Sequence, residues 1–162
     1  CDTCALVQEE VHGTHFGGGE GFDAVKAQAD ALPENIKVDF RGNVPNKEIL
    51  QEYAKNAFDL FINVSSSEGV PVSIMEAMSF GMPVIATAVG GTGEIVHDKV
   101  NGVLLDKDFS INQLCEKISA FSQMGDDEYI TFCQNSRRIW EELCDANKNY
   151  SRFVAGIENL ER

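Results

Sequence analysis

Short runs rich in β-branched and aromatic residues alternate with longer amphipathic stretches along most of this chain, and that alternation constrains the fold more than any single motif. Strand, helix and strand in repeated succession pack as a parallel sheet covered by helices. The predicted strands are 11–16, 36–41, 60–64, 83–87 and 102–105. Helices are predicted over 21–32, 46–56 and 72–80, each with apolar residues three to four apart and a Gly, Pro or Asn near an end. The expected fold class is therefore α/β, an open parallel sheet with helices on both faces. Beyond Asp106 the pattern changes: 111–121 and 127–144 are amphipathic with no strand between them, and read as covering helices. The segment 150–160 puts Tyr150, Phe153, Val154, Ile157 and Leu160 on one stripe. That stripe needs a partner surface, on the same domain or on one outside this sequence.

A chain of 162 residues can bury roughly two thirds of the surface its unfolded form exposes. With no repeat, low-complexity tract or linker, residues 1–162 read as one domain. Thirteen Lys and Arg against 26 Asp and Glu leave a net charge of −13, which argues against nonspecific contact with nucleic acid or anionic lipid. An anionic ligand must then be held locally, by helix N-termini and backbone N–H groups. No apolar run approaches the roughly 18 residues of a membrane span, and no signal peptide is present, although Cys1 reads as a cut end rather than a natural start. The five cysteines, at 1, 4, 115, 133 and 144, lack the spacing of a disulfide framework. Both features lead to the expectation of a soluble, cytoplasmic protein in a reducing compartment. The Cys1-x-x-Cys4 pair has no second pair or nearby His pair to complete a tetrahedral zinc site, so no metal is expected there.

Glycine-rich turns follow the predicted strands, and in an open parallel sheet ligands sit at the carboxyl ends of strands. The first turn, Gly17-Gly18-Gly19-Glu20-Gly21, would let backbone approach a phosphate. As a dinucleotide fingerprint it fails when counted from Gly17 and Gly19, because the third glycine position falls on Phe22. Counted from Gly19 and Gly21 that position is Ala24, with Asp39 as a ribose-binding acid, but this frame starts late after its strand. A plain tight turn uses the same residues.

The segment Ser65 to Met78 carries the most chemistry. Gly69 and Pro71 break the chain before an apolar helix, and Pro71 suits the first turn, where a missing N–H is no loss. The N–H groups of Val72 and Ser73 then point out of the helix start. Glu68 precedes the helix and Glu76 lies about one turn inside it, so one carboxylate borders the phosphate end of a cleft and the other faces along it. A carboxylate accepts hydrogen bonds from two vicinal hydroxyls, which is what a ribose or hexose offers. Taken singly, each glutamate also fits a plainer role, as a partner of the helix dipole or a solvated helix residue.

The ordered motifs E-G-V-P-V-S-I-M-E-A-M, F-G-M-P-V-I-A-T and G-G-T-G-E-I-V, preceded by F-G-G-G-E, V-D-F-R-G-N-V and A-F-D-L-F-I-N-V-S, run from about His15 to Leu105. Together they resemble the C-terminal domain of family 4 retaining glycosyltransferases with the GT-B fold. The resemblance implies a Rossmann-like lobe that binds a nucleotide-diphosphate sugar as donor substrate. Joined to the N-terminal acceptor lobe of the same parent protein, it would transfer a hexose with retention to a glycan or lipid-linked acceptor, as in polysaccharide biosynthesis. It implies that Glu68 is the catalytic residue beside the donor sugar and that Glu76 binds the ribose hydroxyls. Gly69, Val70, Pro71 and Val72 would line the sugar and diphosphate with backbone, Pro71 shaping the turn without an N–H. Val44, after Arg41-Gly42, matches the position that touches the base. Gly17 and Gly19 fall near the diphosphate, and Gly90 and Gly91 border the cleft where a helix begins at Thr92. No metal and no cofactor are implied, and any peripheral membrane association would belong to the acceptor lobe.

The family's C-terminal domain opens with one more strand and helix, bearing an Arg and Lys pair for the donor phosphates, whereas residues 1–10 contain neither Arg nor Lys. Charge-assisted phosphate contacts are among the stronger ones, so donor affinity rests on what remains. Without the acceptor lobe the isolated fragment is expected to be inactive. Asp106-Lys107-Asp108 resembles the D-x-D of metal-dependent glycosyltransferases, yet it ends a strand and begins a loop. His12, His15 and His97 lack metal-site spacing, and the sequons at Asn63 and Asn149 read as chance. The alternatives are a related epimerase or phosphorylase lobe, or a non-catalytic nucleotide-binding module of nicotinamide or degenerate sugar-nucleotide type.

Overall fold

The computed structural model describes residues 9–160, with side chains through residue 158; the Cys1-x-x-Cys4 pair lies outside the described residues. In chain order the elements are β1 (Val11–Phe16), α1 (Phe22–Ala29), β2 (Ile36–Gly42), α2 (Asn46–Lys55), β3 (Phe61–Asn63), α3 (Val72–Ser79), β4 (Val84–Thr87), α4 (Thr92–Ile95), β5 (Gly102–Leu105), α5 (Ile111–Ser122), α6 (Asp126–Leu143) and α7 (Ala146–Leu160). Strands and helices alternate as expected, and every strand pairing is parallel. The chain forms two compact units, one built from the chain up to Ala57 with Asp108–Gly125, the other from Phe58–Lys107 with the chain from Asp126 onward.

In the first unit β1 pairs with β2. His15 and Phe16 are consecutive and point to opposite faces of this ribbon. His15 joins an aromatic cluster with Phe22 and Phe40, 5.4 Å from the Phe40 ring, while Phe16 meets Tyr53 of α2 edge-on at 6.1 Å. Helices thus cover both faces. Helix α1 ends at Ala29, short of the expected boundary at 32, because Pro33 disfavours helical geometry in the residue before it. Helix α5 opens with a capping box: the Gln113 N–H donates to Ser110 Oγ and the Ser110 N–H to Gln113 Oε1.

In the second unit the strand order is β3-β4-β5. β4 reads Val-Ile-Ala-Thr and is buried at every residue, the continuous apolar run of a central strand covered on both faces. Ile74 and Met78, one turn apart on α3, pack against Val84 and Ala86 of β4, Ile95, Val96 and Ile139 of α6. Ser136, fully buried on α6, is satisfied by donating to the Met82 carbonyl at 2.6 Å. Arg137 donates to the Ser79 carbonyl at the end of α3 and lies 4.6 Å over the Trp140 ring. Helix α7 begins at Ala146, earlier than the apolar stripe suggested, because the Asp145 carboxylate accepts from the Asn147 and Lys148 N–H groups. Its stripe is exposed at Tyr150, Phe153, Val154 and Ile157. No helix among the described residues is long and apolar enough to cross a membrane.

The turn into β5 depends on Asn101, which is wholly buried. Its Nδ2 donates to the Ile95 carbonyl at 3.0 Å and its Oδ1 accepts the His97 N–H at 2.7 Å. Asn101→Ala leaves both backbone groups without their partner, so it is expected to destabilise the fold by about 2–4 kcal/mol, the combined effect of unsatisfied buried groups and a small cavity. Urea unfolding checks this, and a loss below about 0.5 kcal/mol, within the range of neutral surface changes, would show that the turn closes without the side chain.

Candidate functional site

The loops after β3 and β4 leave the carboxyl ends of adjacent parallel strands and are bound to each other. The Gly91 N–H donates to the Gly69 carbonyl at 2.7 Å, and Thr87, 2 % exposed at the end of β4, donates its hydroxyl to the Ser65 carbonyl at 2.5 Å. The approach is close enough to dictate residue type. A Cβ on Gly90 would stand 1.8 Å from the Glu68 carbonyl oxygen, and one on Gly91 would stand 2.6 Å from Val70 Cγ2. Gly90 also has φ of 53°, in the left-handed region that other L-residues seldom adopt. The structure therefore places Gly90 and Gly91 against the backbone of Glu68 and Gly69, where they seat the acidic loop.

Glu68 is half-buried, and one of its carboxylate oxygens accepts from the Asn63 amide at 3.2 Å. Pro71 is buried at the N-cap position of α3, just outside the first turn, with φ of −73° and ψ of 115°. No side chain caps this helix, and its first backbone donor within the helix is the Met75 N–H, bonded to the Pro71 carbonyl at 3.3 Å. The N–H groups of Val72, Ser73 and Ile74 therefore have no acceptor inside the helix. Val72 is 62 % exposed, so this helix start faces solvent. Gly69 and Val70 are exposed beside it, and Glu76 is half-buried one turn further along α3. The structure thus brings Glu68, Gly69, Val70, Pro71, Val72, Gly90 and Gly91 to one rim, with Glu76 on the adjoining turn.

Gly17, Gly19 and Val44 belong to the first unit. There the turns after β1 and β2 are joined, the Gly17 N–H donating to the Gly42 carbonyl at 2.8 Å. Gly17 has φ of 132°, and Val44 lies half-buried in the turn leading to α2. Asp39, the acid that a nicotinamide-type reading requires, is exposed and paired with Arg41 at 2.7 Å. Cys133 and Cys144 have their thiols pushed up from the ordinary value by burial, which leaves little thiolate at neutral pH. Among the described residues no three His, Cys, Asp or Glu side chains are gathered as a metal ion would need. Asn63, expected only as a chance sequon, and Thr87, expected only as the end of a strand, thus hold the loop that begins at Ser65. The available signal was a polar residue closing each of two otherwise apolar strands, at Asn63 and at Thr87.

Parallel strands that lift paired loops and an uncapped helix start to one rim define an α/β protein of Rossmann-like type, a fold in which ligands sit at the carboxyl ends of the strands. The profile of the family described as "Glycosyl transferases group 1" matches residues 5–138, and the chain belongs to that family. The O-antigen biosynthesis glycosyltransferase WbnH of Escherichia coli is 38% identical over 90 residues, covering 56% of this chain and 24% of that protein. A GDP-mannose-dependent alpha-mannosyltransferase of Corynebacterium glutamicum is 29% identical over 133 residues, covering 78% of this chain and 30% of that protein. Among solved structures, Anabaena Alr3699/HepE in complex with UDP and glucose matches with a TM-score of 0.78 and 25% identity, over 98% of this chain and 43% of that one. The chain spans about a quarter to a third of the two curated relatives. Its fold is that of GT-B glycosyltransferases.

The packing at Gly90 makes a direct prediction. Gly90→Ala is expected to destabilise the second unit by about 1–3 kcal/mol, from left-handed backbone strain plus a clash with a carbonyl that cannot swing away. Denaturant unfolding measures it, and a substitution tolerated without loss would mean that the two loops are free to part.

Proposed function

We propose that this chain is the donor-binding portion of a retaining glycosyltransferase, and that the rim after β3 and β4 holds a nucleotide-diphosphate sugar. The observation that carries this reading is the placement of Glu68 and Glu76 on either side of an uncapped helix start, in a chain of the glycosyl transferases group 1 family. Unbonded N–H groups at the start of α3 suit the diphosphate, since the helix dipole and the orphan donors act together on an anion. The two carboxylates suit hydroxyls, which they accept and phosphates cannot offer. Glu76 is assigned to the ribose and Glu68 to the donor sugar. Gly69, Val70 and Val72 contribute backbone around the sugar and diphosphate, while Pro71 shapes the turn. Gly17, Gly19 and Val44 are assigned to the diphosphate and the base by their family positions.

In the transfer the bond between the anomeric carbon and the departing phosphate oxygen breaks, and the diphosphate keeps the electron pair. The acceptor hydroxyl forms its bond on the same face and gives its proton to the leaving phosphate oxygen. The Glu68 carboxylate stands beside the anomeric centre as positive charge builds there, and positioning with fixed charge supplies the catalysis without a metal. The acceptor is a glycan or lipid-linked sugar, held by a further lobe of the parent protein.

A thermal-shift series with UDP, GDP and ADP tests the reading: one of them is expected to raise the melting temperature, and no response from a folded sample would count against a nucleotide site. Glu76→Ala is expected to weaken binding of that nucleotide by about 1–3 kcal/mol, the effect of hydrogen bonds to a charged group. Unchanged affinity in a calorimetric titration would remove Glu76 from the ribose.

A further inference from the structure

Asn63 closes β3, opposite Ala86 in the register with β4, and its side chain is half-buried between the acidic loop and α3. Its Oδ1 accepts the Ser65 N–H at 3.1 Å. Its Nδ2 donates to Glu68 Oε1 at 3.2 Å and reaches Ser73 Oγ on the first turn of α3 at 3.5 Å. The Ser65 contact decides which end of the amide is oxygen, because the rotated group would set its NH2 against a backbone donor and its oxygen against a carboxylate. The donor is thereby aimed at Glu68 by the strand itself. A loop glutamate otherwise loses rotamer freedom whenever it is held in one place. Here the Ser65 carbonyl is pinned by Thr87, the Gly69 carbonyl by Gly91, and the carboxylate between them by Asn63.

We propose that Asn63 is a positioning residue for the transfer reaction, holding one oxygen of Glu68 so that the other, Oε2, meets the donor sugar. This rests on the donor-site reading above. Asn63 acts on the sugar end of the ligand through its 3.2 Å bond to Glu68, while it meets the helix start assigned to the diphosphate only through the longer 3.5 Å contact with the Ser73 hydroxyl. It also makes the geometry of Glu68 a property of the β3–β4 sheet rather than of a solvent-exposed loop.

The test separates the sugar from the rest of the ligand. Asn63→Asp retains an oxygen for the Ser65 N–H and replaces the donor with a second oxygen facing the Glu68 carboxylate. The wild-type chain and the variant are titrated calorimetrically with UDP and UDP-glucose, and with GDP and GDP-mannose. The expected result is a roughly tenfold loss of affinity for the sugar nucleotide, with the nucleoside diphosphate unchanged within about twofold, as befits one hydrogen bond to a charged group. The double variant Asn63→Asp with Glu68→Ala is expected to bind no more weakly than Glu68→Ala alone, because coupled residues are not additive. Should the aspartate variant melt early, Asn63→Leu, which keeps the branched shape of asparagine without its polar atoms, is measured in the same way. Equal losses for diphosphate and sugar nucleotide, or additive losses in the double variant, overturn the positioning role and leave Asn63 as a loop support. A wild-type chain that binds diphosphate but gains nothing from the sugar overturns it as well. A wild-type chain that binds neither overturns the donor-site reading itself, and this assignment with it.

Discussion

β4 has no face open to water, so each of its backbone groups has to be satisfied by a neighbouring strand, and this requirement organises the second unit. β3 and β5 meet it on the two edges, in parallel register from Phe61 opposite Val84 and from Val84 opposite Gly102. Parallel pairing sets all three carboxyl ends on the same side. Thr87, the last residue of β4, is buried with a hydroxyl that needs an acceptor, and the Ser65 carbonyl at the start of the neighbouring loop supplies one. Burial of an apolar strand thus determines where a polar loop begins.

Backbone then does what side chains do in many sites. Two chain segments can approach within van der Waals distance of each other's carbonyls only where no Cβ intervenes, and Gly90 and Gly91 provide that clearance against Glu68, Gly69 and Val70. The loop after β3 is held by bonds from β4, from the β4–α4 loop and from Asn63. A loop so restrained needs little ordering when a ligand arrives, which removes a contribution that usually opposes binding. The residues proposed to line the donor, from Glu68 to Val72, belong to this restrained loop and the helix start that follows it.

The strands were legible because β-branched runs bounded by Gly, Pro and Asn leave few alternatives, and the helices because their apolar residues recur at helical spacing. Where boundaries moved, the cause was a local polar group or a proline, as with Asp145 capping α7 and Pro33 stopping α1. Glu68 and Glu76 stood out because a glycine, a proline and a helix start lie between them within a short stretch of chain. Asn63 did not. Its partners, Ser65, Glu68 and Ser73, are gathered by the turn of the loop rather than by periodicity, and an amide at the end of a strand has the same appearance in sequence whether it faces solvent or a carboxylate. That Asp108–Gly125 joins the first unit was likewise hidden, because helical spacing reveals which face of α5 is apolar and not what covers it.

A chain of net charge −13 repels anions at long range, and the proposed ligand is an anion. Salt limits the conflict: at physiological ionic strength charges separated by more than about 8 Å are largely screened. Inside that radius the geometry of the rim decides the outcome. The start of α3 is exposed at Val72, while the Glu76 carboxylate lies a turn behind it and one oxygen of Glu68 accepts from the Asn63 amide. Positive potential and acceptor oxygens are therefore segregated along the rim rather than mixed. A ligand with a diphosphate at its centre and hydroxyls at both ends matches that order, whereas a bare phosphate would meet the donors without any use for the carboxylates. The net charge of −13 therefore does not by itself oppose the proposed ligand, provided that the helix start meets the diphosphate and the two carboxylates meet hydroxyls.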